Sequence, residues 1–335
     1  MSEYQYYEFA AVDRPLDERQ LAEVRALSTR AHITPTSFVN TYEWGSFRGD
    51  PRRMVERFYD AFLYLANWGT RELLLRFPAR VLDLDLVRRY CGSEAASAWR
   101  SGEQVVVAAV SEDDDGDFEW GGEGVLATIL PVRAEVLAGD LRALYVLWLL
   151  GVQVGEFDDE VVEPPVPPGL AELTGSQVGL AEFLRIDGDL LAVAAAGSRP
   201  RPPVCVDIDR WVAGLAASER DALLLGLLLL GDDPHLRAET LRRARAVPGG
   251  DGGGRTVEEL LAAAATRRAE RERAASVRRE QEMAERARRA APGVSGLQRS
   301  RRRARARGLG SRPGSRRRSR QATTPRSSCS RIFGT

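Results

Sequence analysis

The last 45 residues, 291–335, differ in kind from those before them, and this division confines any folded structure to residues 1–290. The segment contains 13 Arg and neither Asp nor Glu, whereas residues 1–290 contain 35 Arg against 48 acidic residues. The formal net charge of zero therefore describes neither part. A segment with much charge and few apolar residues cannot bury enough surface to fold. We therefore expect disorder from Ala291 onward.

Two interpretations of this basic tail stay open. As a genuine segment, it is a polycation that would bind nucleic acid through phosphates. As a shifted reading frame, it is GC-rich DNA translated off frame, since every basic residue of the chain is Arg and none is Lys. Reading Ala322 to Thr335 one base earlier, with CGN for Arg and TCN for Ser, gives DYAAVVLLADLRD, whose apolar residues recur at helical spacing. We favour the shift.

The composition of residues 1–290 predicts a folded protein without a membrane segment. No apolar run approaches the roughly 20 residues that span a bilayer. The N-terminus, MSEYQYYEF, lacks the apolar stretch of a signal peptide. Cys91, Cys205 and Cys329 are far apart, with no CxxC spacing. Together these features favour a cytoplasmic protein.

The first half of the chain alternates strand and helix patterns. Strands are predicted over residues 4–12, 36–44, 73–77, 104–110 and 120–130. Helices are predicted over residues 17–28, 51–68 and 131–154. The helix over 51–68 has Asp50 as its N-cap and Pro51 at its first position, with Phe58, Tyr59 and Phe62 on one face. This order predicts an α+β fold: an N-terminal two-layer α/β sandwich with a mixed or antiparallel sheet.

The second half carries only helical patterns, interrupted by two linkers. EPPVPPG is typical of a rigid extended linker and PGGDGGG of a flexible one. An Arg/Glu-rich helix follows, for which a coiled coil is predicted although its apolar positions are sparse. The predicted organisation is an α+β domain over 1–160, a Pro-rich linker over 161–169, an all-helical domain over 170–247, a Gly-rich linker over 248–255, a long charged helix over 256–290 and the disordered basic tail over 291–335.

Residues 4–28, YQYYEFAAVDRPLDERQLAEVRALS, and the following block ITPTSFVNTYEWGSFRGDPRRMVERFYDAFLYLANWG resemble an uncharacterised family of high-GC actinobacterial proteins. The later segments GDLRALYVLWL and LAEFLRIDGDLLAVAAA are similar to the same family. The resemblance covers about residues 1–246. It implies no activity and no functional residues. It also implies a C-terminal helix of the AVxLLxDLRDL type, which departs from the printed sequence and agrees with the shifted frame.

Motifs for the common catalytic and cofactor chemistries are missing from the sequence. GxSxG, Walker A and GxGxxG motifs do not occur, and GGDGGG follows no predicted strand. The only His residues, His32 and His235, have no ligand at metal-binding spacing. The acidic run SEDDDGDFE lacks the Gly and the final acid of a calcium loop. We therefore predict no metal, no cofactor and no catalytic residue.

An aromatic and polar group near the N-terminus is the best candidate site. Its members are Asn40, Tyr42, Trp44, Arg48, Asn67 and Trp68. Trp, Tyr and Arg are the residues that dominate protein interfaces, so this group predicts a surface for a protein partner. The alternative is a half-buried sheet whose polar aromatic tips reach water. The leading hypothesis is a non-catalytic interaction or adaptor protein.

Two other functions stay open at this point. The first is an enzyme that uses carboxylate and Arg chemistry, with Glu43, Arg48 and Asp50 as candidates; converging acids with raised pKa values would support it. The second is a nucleic-acid-associated protein, which depends on a genuine basic tail.

Overall fold

The computed structural model describes residues 3–113, 121–201, 208–230, 240 and 254–290. They fall into two compact units, which divide between Glu272 and Arg273. Several predictions lie outside the described residues: the tail 291–335, the Gly-rich linker up to residue 253, and the acidic turn from residue 114 to residue 120.

The first unit contains one antiparallel sheet of seven strands. In chain order they are β1 (Gln5–Ala10), β2 (His32–Ile33), β3 (Ser37–Tyr42), β4 (Ala61–Ala66), β5 (Arg71–Pro78), β6 (Ala96–Ser101) and β7 (Gln104–Ser111). Their order across the sheet is β2-β3-β1-β4-β5-β7-β6, and every neighbouring pair is antiparallel. The predicted α+β class with an antiparallel sheet, followed by helices, is confirmed.

The helices lie around and after this sheet. They are α1 (Glu18–Leu27), α2 (Pro51–Arg57), α3 (Leu84–Arg88), α4 (Val125–Ile129), α5 (Pro131–Leu137), α6 (Arg142–Gln153), α7 (Gly175–Phe183), α8 (Gly188–Ala196), α9 (Ile208–Gly214), α10 (Ala217–Leu230) and α11 (Val257–Ala290). Asp50 caps α2 as its sequence predicts, and Asp17 caps α1. The second unit holds the part of α11 from Arg273 onward.

Both faces of the sheet are buried. One face, with Leu63 of β4, packs beneath α3 to α8 and the first turns of α11 in a single large core. The other face, with Phe62, packs beneath α1 and α2 in a smaller, aromatic-rich core. Because β4 is covered on both sides, its residues are apolar at every position instead of alternating.

The predicted helix over 51–68 is wrong beyond Arg57. Helix α2 ends there, and Ala61–Ala66 is the strand β4. A continuous apolar run satisfies helical and strand periodicity alike, and strand pairing with β1 and β5 decides the outcome. Tyr59 and Phe62 are buried as expected, but in the connection and in the strand.

Three further differences concern residues 96–154. The predicted strand over 120–130 is wrong, because Val125–Ile129 is helical, after a left-handed Gly124. The predicted helix over 131–154 is divided at Gly139, whose φ is +88°, into α5 and α6. The sequence patterns also missed β6, whose weakly apolar residues lie at the sheet edge.

The Pro-rich segment 161–169 does not separate the two compact units, since residues on both sides lie in the first. Leu180 of α7 and Leu190 of α8 belong to the same core as the sheet. The start of α11 is tied to this body by Arg255, whose guanidinium pairs with the buried Glu163 at 2.7 Å. The domain boundaries inferred from composition, and the coiled coil, remain predictions.

A buried ionic cluster closes the end of the sheet where β1 and β5 finish. Its members are Asp13, Asp60, Arg76 and Arg133. The Asp60 carboxylate accepts hydrogen bonds from Nε and Nη2 of Arg76 at 3.2 and 2.7 Å. Arg133 pairs with both carboxylate oxygens of Asp13 at 2.7 and 2.6 Å. Each charge has partners, which is the condition for burying charges without a prohibitive cost.

Candidate recognition surface

The two exposed tryptophans of the predicted site lie beyond the same end of the sheet. Gln5, at the start of β1, lies opposite both Tyr42, the last residue of β3, and Ala66, the last residue of β4. Strands β3 and β4, which lie on either side of β1, therefore both end at this edge of the sheet. Trp44 and Trp68 follow these strand ends closely, so the strand register brings two segments that are distant in sequence to one edge.

Trp44 and Trp68 are unusually exposed, with 66% and 45% of their surface accessible. The guanidinium of Arg30 lies over the Trp44 ring, with its central carbon 4.1 Å from the ring centroid. Arg48, the cation predicted beside Trp44, is exposed on the same connection. Sequence patterns missed Arg30 because it precedes β2, and only the pairing of β2 with β3 brings it to Trp44.

The structure places Asn40 and Tyr42 in the interior. Asn40 is 5% exposed, and its Nδ2 donates to Ser28 Oγ at 3.2 Å. The Tyr42 ring is buried and meets the Tyr7 ring edge-on, with centroids 5.7 Å apart. Asn40 thus joins the sheet to the end of α1, Tyr42 packs within the aromatic core, and neither forms part of an exposed surface.

Asn67 is half-buried and has a positioning role. Its side-chain Oδ1 accepts a hydrogen bond from the backbone amide of Tyr4 at 3.0 Å. The backbone amide of Asn67 donates to the Tyr4 carbonyl at 3.0 Å. These bonds extend the β1–β4 pairing by one residue. They fix the backbone immediately before Trp68.

The turn that carries Trp68 is braced on both sides. Gly69 has a φ of +100°, and a Cβ there would come within 1.8 Å of the Asp113 carbonyl oxygen. Its own carbonyl accepts from Arg185 Nη1 at 2.8 Å. Arg185 itself is in the left-handed region, with φ +56°, a conformation that persists where surrounding contacts enforce it. Trp68 therefore projects from a fixed turn.

A buried glutamine fixes the connection that carries Trp44. Gln5 Oε1 accepts from the Tyr7 hydroxyl at 2.7 Å and from the Tyr64 hydroxyl at 3.2 Å. Its Nε2 donates to the Gly45 carbonyl at 2.8 Å. Burial raises the pKa of both tyrosines, so they are neutral donors at physiological pH. Gln5 was not among the predicted residues; its place at the start of β1 is visible only from the pairing.

Glu72 is the second residue that sequence patterns missed. It is half-buried on β5, opposite Tyr64 of β4 and Val110 of β7. Burial raises the pKa of its carboxyl above the ordinary value, and nearby Asp50 adds to this effect while Arg52 opposes it. In the described part of the chain, no hydrogen bond or ion pair reaches this carboxyl.

The candidate residues for an enzyme do not converge. Asp50 accepts from the Arg53 amide at 3.2 Å as the α2 cap, which is a structural role. Glu43 and Arg48 are exposed, and within the described ranges no hydrogen bond or ion pair joins either to Asp50. Among those same residues, no group of three or more His, Cys, Asp and Glu could hold a metal ion.

No described helix combines the length and the apolar character needed to cross a membrane. Comparisons with known proteins add no function: no protein-family model matches the chain, and neither the curated proteins nor the solved structures include a significant match. The resemblance drawn from the sequence blocks thus stays an expectation.

Proposed function

We propose that this is a non-catalytic, cytoplasmic interaction protein, which binds a protein partner through the sheet end formed by Trp44, Arg48 and Trp68. Arg30 joins this surface. The observation that carries the proposal is the exposure of two tryptophans, 66% and 45%, on fixed backbone at one edge. We refer to these four residues as the tryptophan edge.

Exposure of two tryptophans is costly to solubility unless something covers them. Large exposed aromatic groups at fixed positions are typical of binding surfaces, and Trp and Arg are the residues on which most binding energy depends. A braced turn under Trp68 and a hydrogen-bonded connection under Trp44 keep both in place before binding. Preorganisation of this kind lowers the entropy lost on association.

The two alternatives have less support. An enzyme needs reacting groups that meet, whereas Asp50 caps a helix and, in the described residues, no hydrogen bond or ion pair joins it to Glu43 or Arg48. A nucleic-acid-associated protein depends on the basic tail, which lies outside the described residues. An interaction protein requires neither.

Selection of peptides from a displayed random library on the full chain tests the proposal. Selected peptides should bind wild type, and Trp44→Ala should weaken them by about 30-fold, since hot-spot residues contribute 2 kcal/mol or more. The melting temperature should change little, because an exposed ring contributes little to the core. Trp68→Ala should behave similarly.

Val12→Ala is the matched control. Val12 is an exposed apolar residue at the opposite end of β1, so its loss should leave peptide affinity unchanged. A library from which no Trp44-dependent peptide emerges would contradict the proposal. So would a Trp44→Ala variant that unfolds, since that would show the ring to be part of the core.

A further inference from the structure

Glu72 differs from the other carboxylates of the described residues that are buried or half-buried. Each of the others has a hydrogen bond or a cation within 4 Å: they are Glu8, Asp13, Glu23, Glu56, Asp60, Asp113, Glu135, Asp140, Glu163, Asp187 and Asp189. Glu72 has neither. Burial deprives this half-buried carboxyl of part of its hydration, and without a protein partner that loss is destabilising.

The cation that acts electrostatically on Glu72 already contacts another side chain. Arg52, on α2, lies over the Trp99 ring with its central carbon 5.2 Å from the centroid. The Trp99 ring is held in place by a hydrogen bond from its Nε1 to the Glu56 carboxylate at 2.7 Å. The positive charge of Arg52 lowers the pKa of Glu72, but in the described residues Arg52 forms no ion pair with it. The carboxyl oxygens are therefore left with unused acceptor positions.

The surroundings of Glu72 suit a planar cation. Tyr64 lies directly opposite on β4, and opposite residues on antiparallel strands have Cβ atoms about 5 Å apart. An aromatic ring beside a carboxylate can stack on a guanidinium while the carboxylate accepts two of its N–H groups. A primary ammonium offers no plane to stack.

The position of Glu72 connects it to the tryptophan edge. Trp68 lies in the turn between β4 and β5, and Glu72 is the second residue of β5. Asp50, whose negative charge raises the pKa of Glu72, follows Arg48 on the connection from β3. A partner that covers both tryptophans would thus pass close to the carboxyl.

We propose that Glu72 binds a guanidinium group, the side chain of an Arg on the protein partner, with Tyr64 as the adjoining aromatic wall. This assignment rests on the proposed function for the identity of the partner. It makes the recognition specific: the tryptophan edge supplies apolar contact, and Glu72 selects an Arg at one position of the bound segment.

The first test uses the peptides selected on the full chain. Arg should recur at one position, and its replacement by Lys or Ala should weaken binding at least tenfold. Glu72→Gln should abolish this preference while Trp44→Ala weakens every peptide. Glu8→Gln is the control, since Glu8 is a half-buried acid on the other face of the sheet, and it should leave the preference intact.

A second test is independent of any peptide. Methylguanidinium, titrated into the isotope-labelled full chain, should shift the Glu72 carboxyl carbon resonance in a saturable way, and methylammonium should do so more weakly. In Glu72→Gln, methylguanidinium should no longer cause saturable shifts of the backbone resonances of β4 and β5.

The outcomes separate the two proposals. Peptides that depend on Trp44 but show no Arg preference, with binding unchanged in Glu72→Gln, would overturn the guanidinium site and leave the interaction surface standing. A saturable methylguanidinium shift at Glu72 without any Trp44-dependent peptide would support the site and contradict the proposed surface. Equal shifts by both probes would overturn the assignment to guanidinium.

Discussion

Replacing Asp60 by Asn should test the ionic cluster at the closed end of the sheet. Asp60 is 1% exposed, and its carboxylate accepts from the amides of Val12 and Asp13 at 2.6 and 2.9 Å, besides two bonds from Arg76. Loss of one member of a buried pair costs about 3–5 kcal/mol, because the other charge is left without compensation. That is a large share of the roughly 5–15 kcal/mol by which domains are stable.

Urea unfolding followed by tryptophan fluorescence gives the change in midpoint at constant slope. Asp60→Asn should lower the free energy of unfolding by about 3 kcal/mol or more. The control is Glu23→Gln, which breaks the pair of half-buried Glu23 with exposed Arg57 at the protein surface and should cost less than about 1 kcal/mol. The double variant Asp60→Leu, Arg76→Met should be more stable than Asp60→Leu alone, since no charge is then orphaned. A loss below about 1 kcal/mol for Asp60→Asn would refute the view that this cluster anchors the fold.

Three further predictions concern the sheet. Phe62→Ala should cost about 3–5 kcal/mol in the same unfolding assay, because the ring is fully buried 4.4 Å from the Phe9 centroid; a near-zero change would show that the smaller core is wrongly assigned. Gly69→Ala should lower the melting temperature and weaken Trp44-dependent peptides, because its Cβ would collide with the Asp113 carbonyl and displace the braced turn; an unchanged thermogram would contradict this. Burial raises the folded-state pKa of Glu72 above 4.5, so the contribution of Glu72 to stability should fall as pH rises above about 4.5 through the raised value. Glu72→Gln should accordingly be more stable than wild type at pH 7, by roughly 1 kcal/mol, and equal to it below about pH 4; a variant less stable at pH 7 would indicate a hidden partner for the carboxyl.

Local signals in the sequence were sufficient for part of the fold. Alternation over residues 4–12 corresponds to β1, the pattern over 17–28 corresponds to α1, and the predicted Asp50 cap marks where α2 begins. These features depend on residues within one turn or one strand, which is the range that propensity and capping report. The same local rules assigned β4 to a helix, because a strand covered on both faces loses the alternation that identifies strands.

The candidate site was likewise predictable only in part from local sequence. The sequence alone could propose Trp44 and Trp68 as surface groups, since each follows a strand or turn pattern. It could not separate them from Asn40 and Tyr42, because burial depends on which face of the sheet α1 covers.

Composition and local patterns were enough to predict an α+β body, a helix-rich second half and a basic segment with no acids after residue 290. The pairing of β1 between β3 and β4, which brings Trp44 and Trp68 to one edge, is visible only in the folded chain. The fold also decided which cation meets Trp44 and which carboxyl is left without a partner. The physical reason is that cross-strand neighbours are fixed by hydrogen-bond register between segments tens of residues apart, and no local pattern records that register.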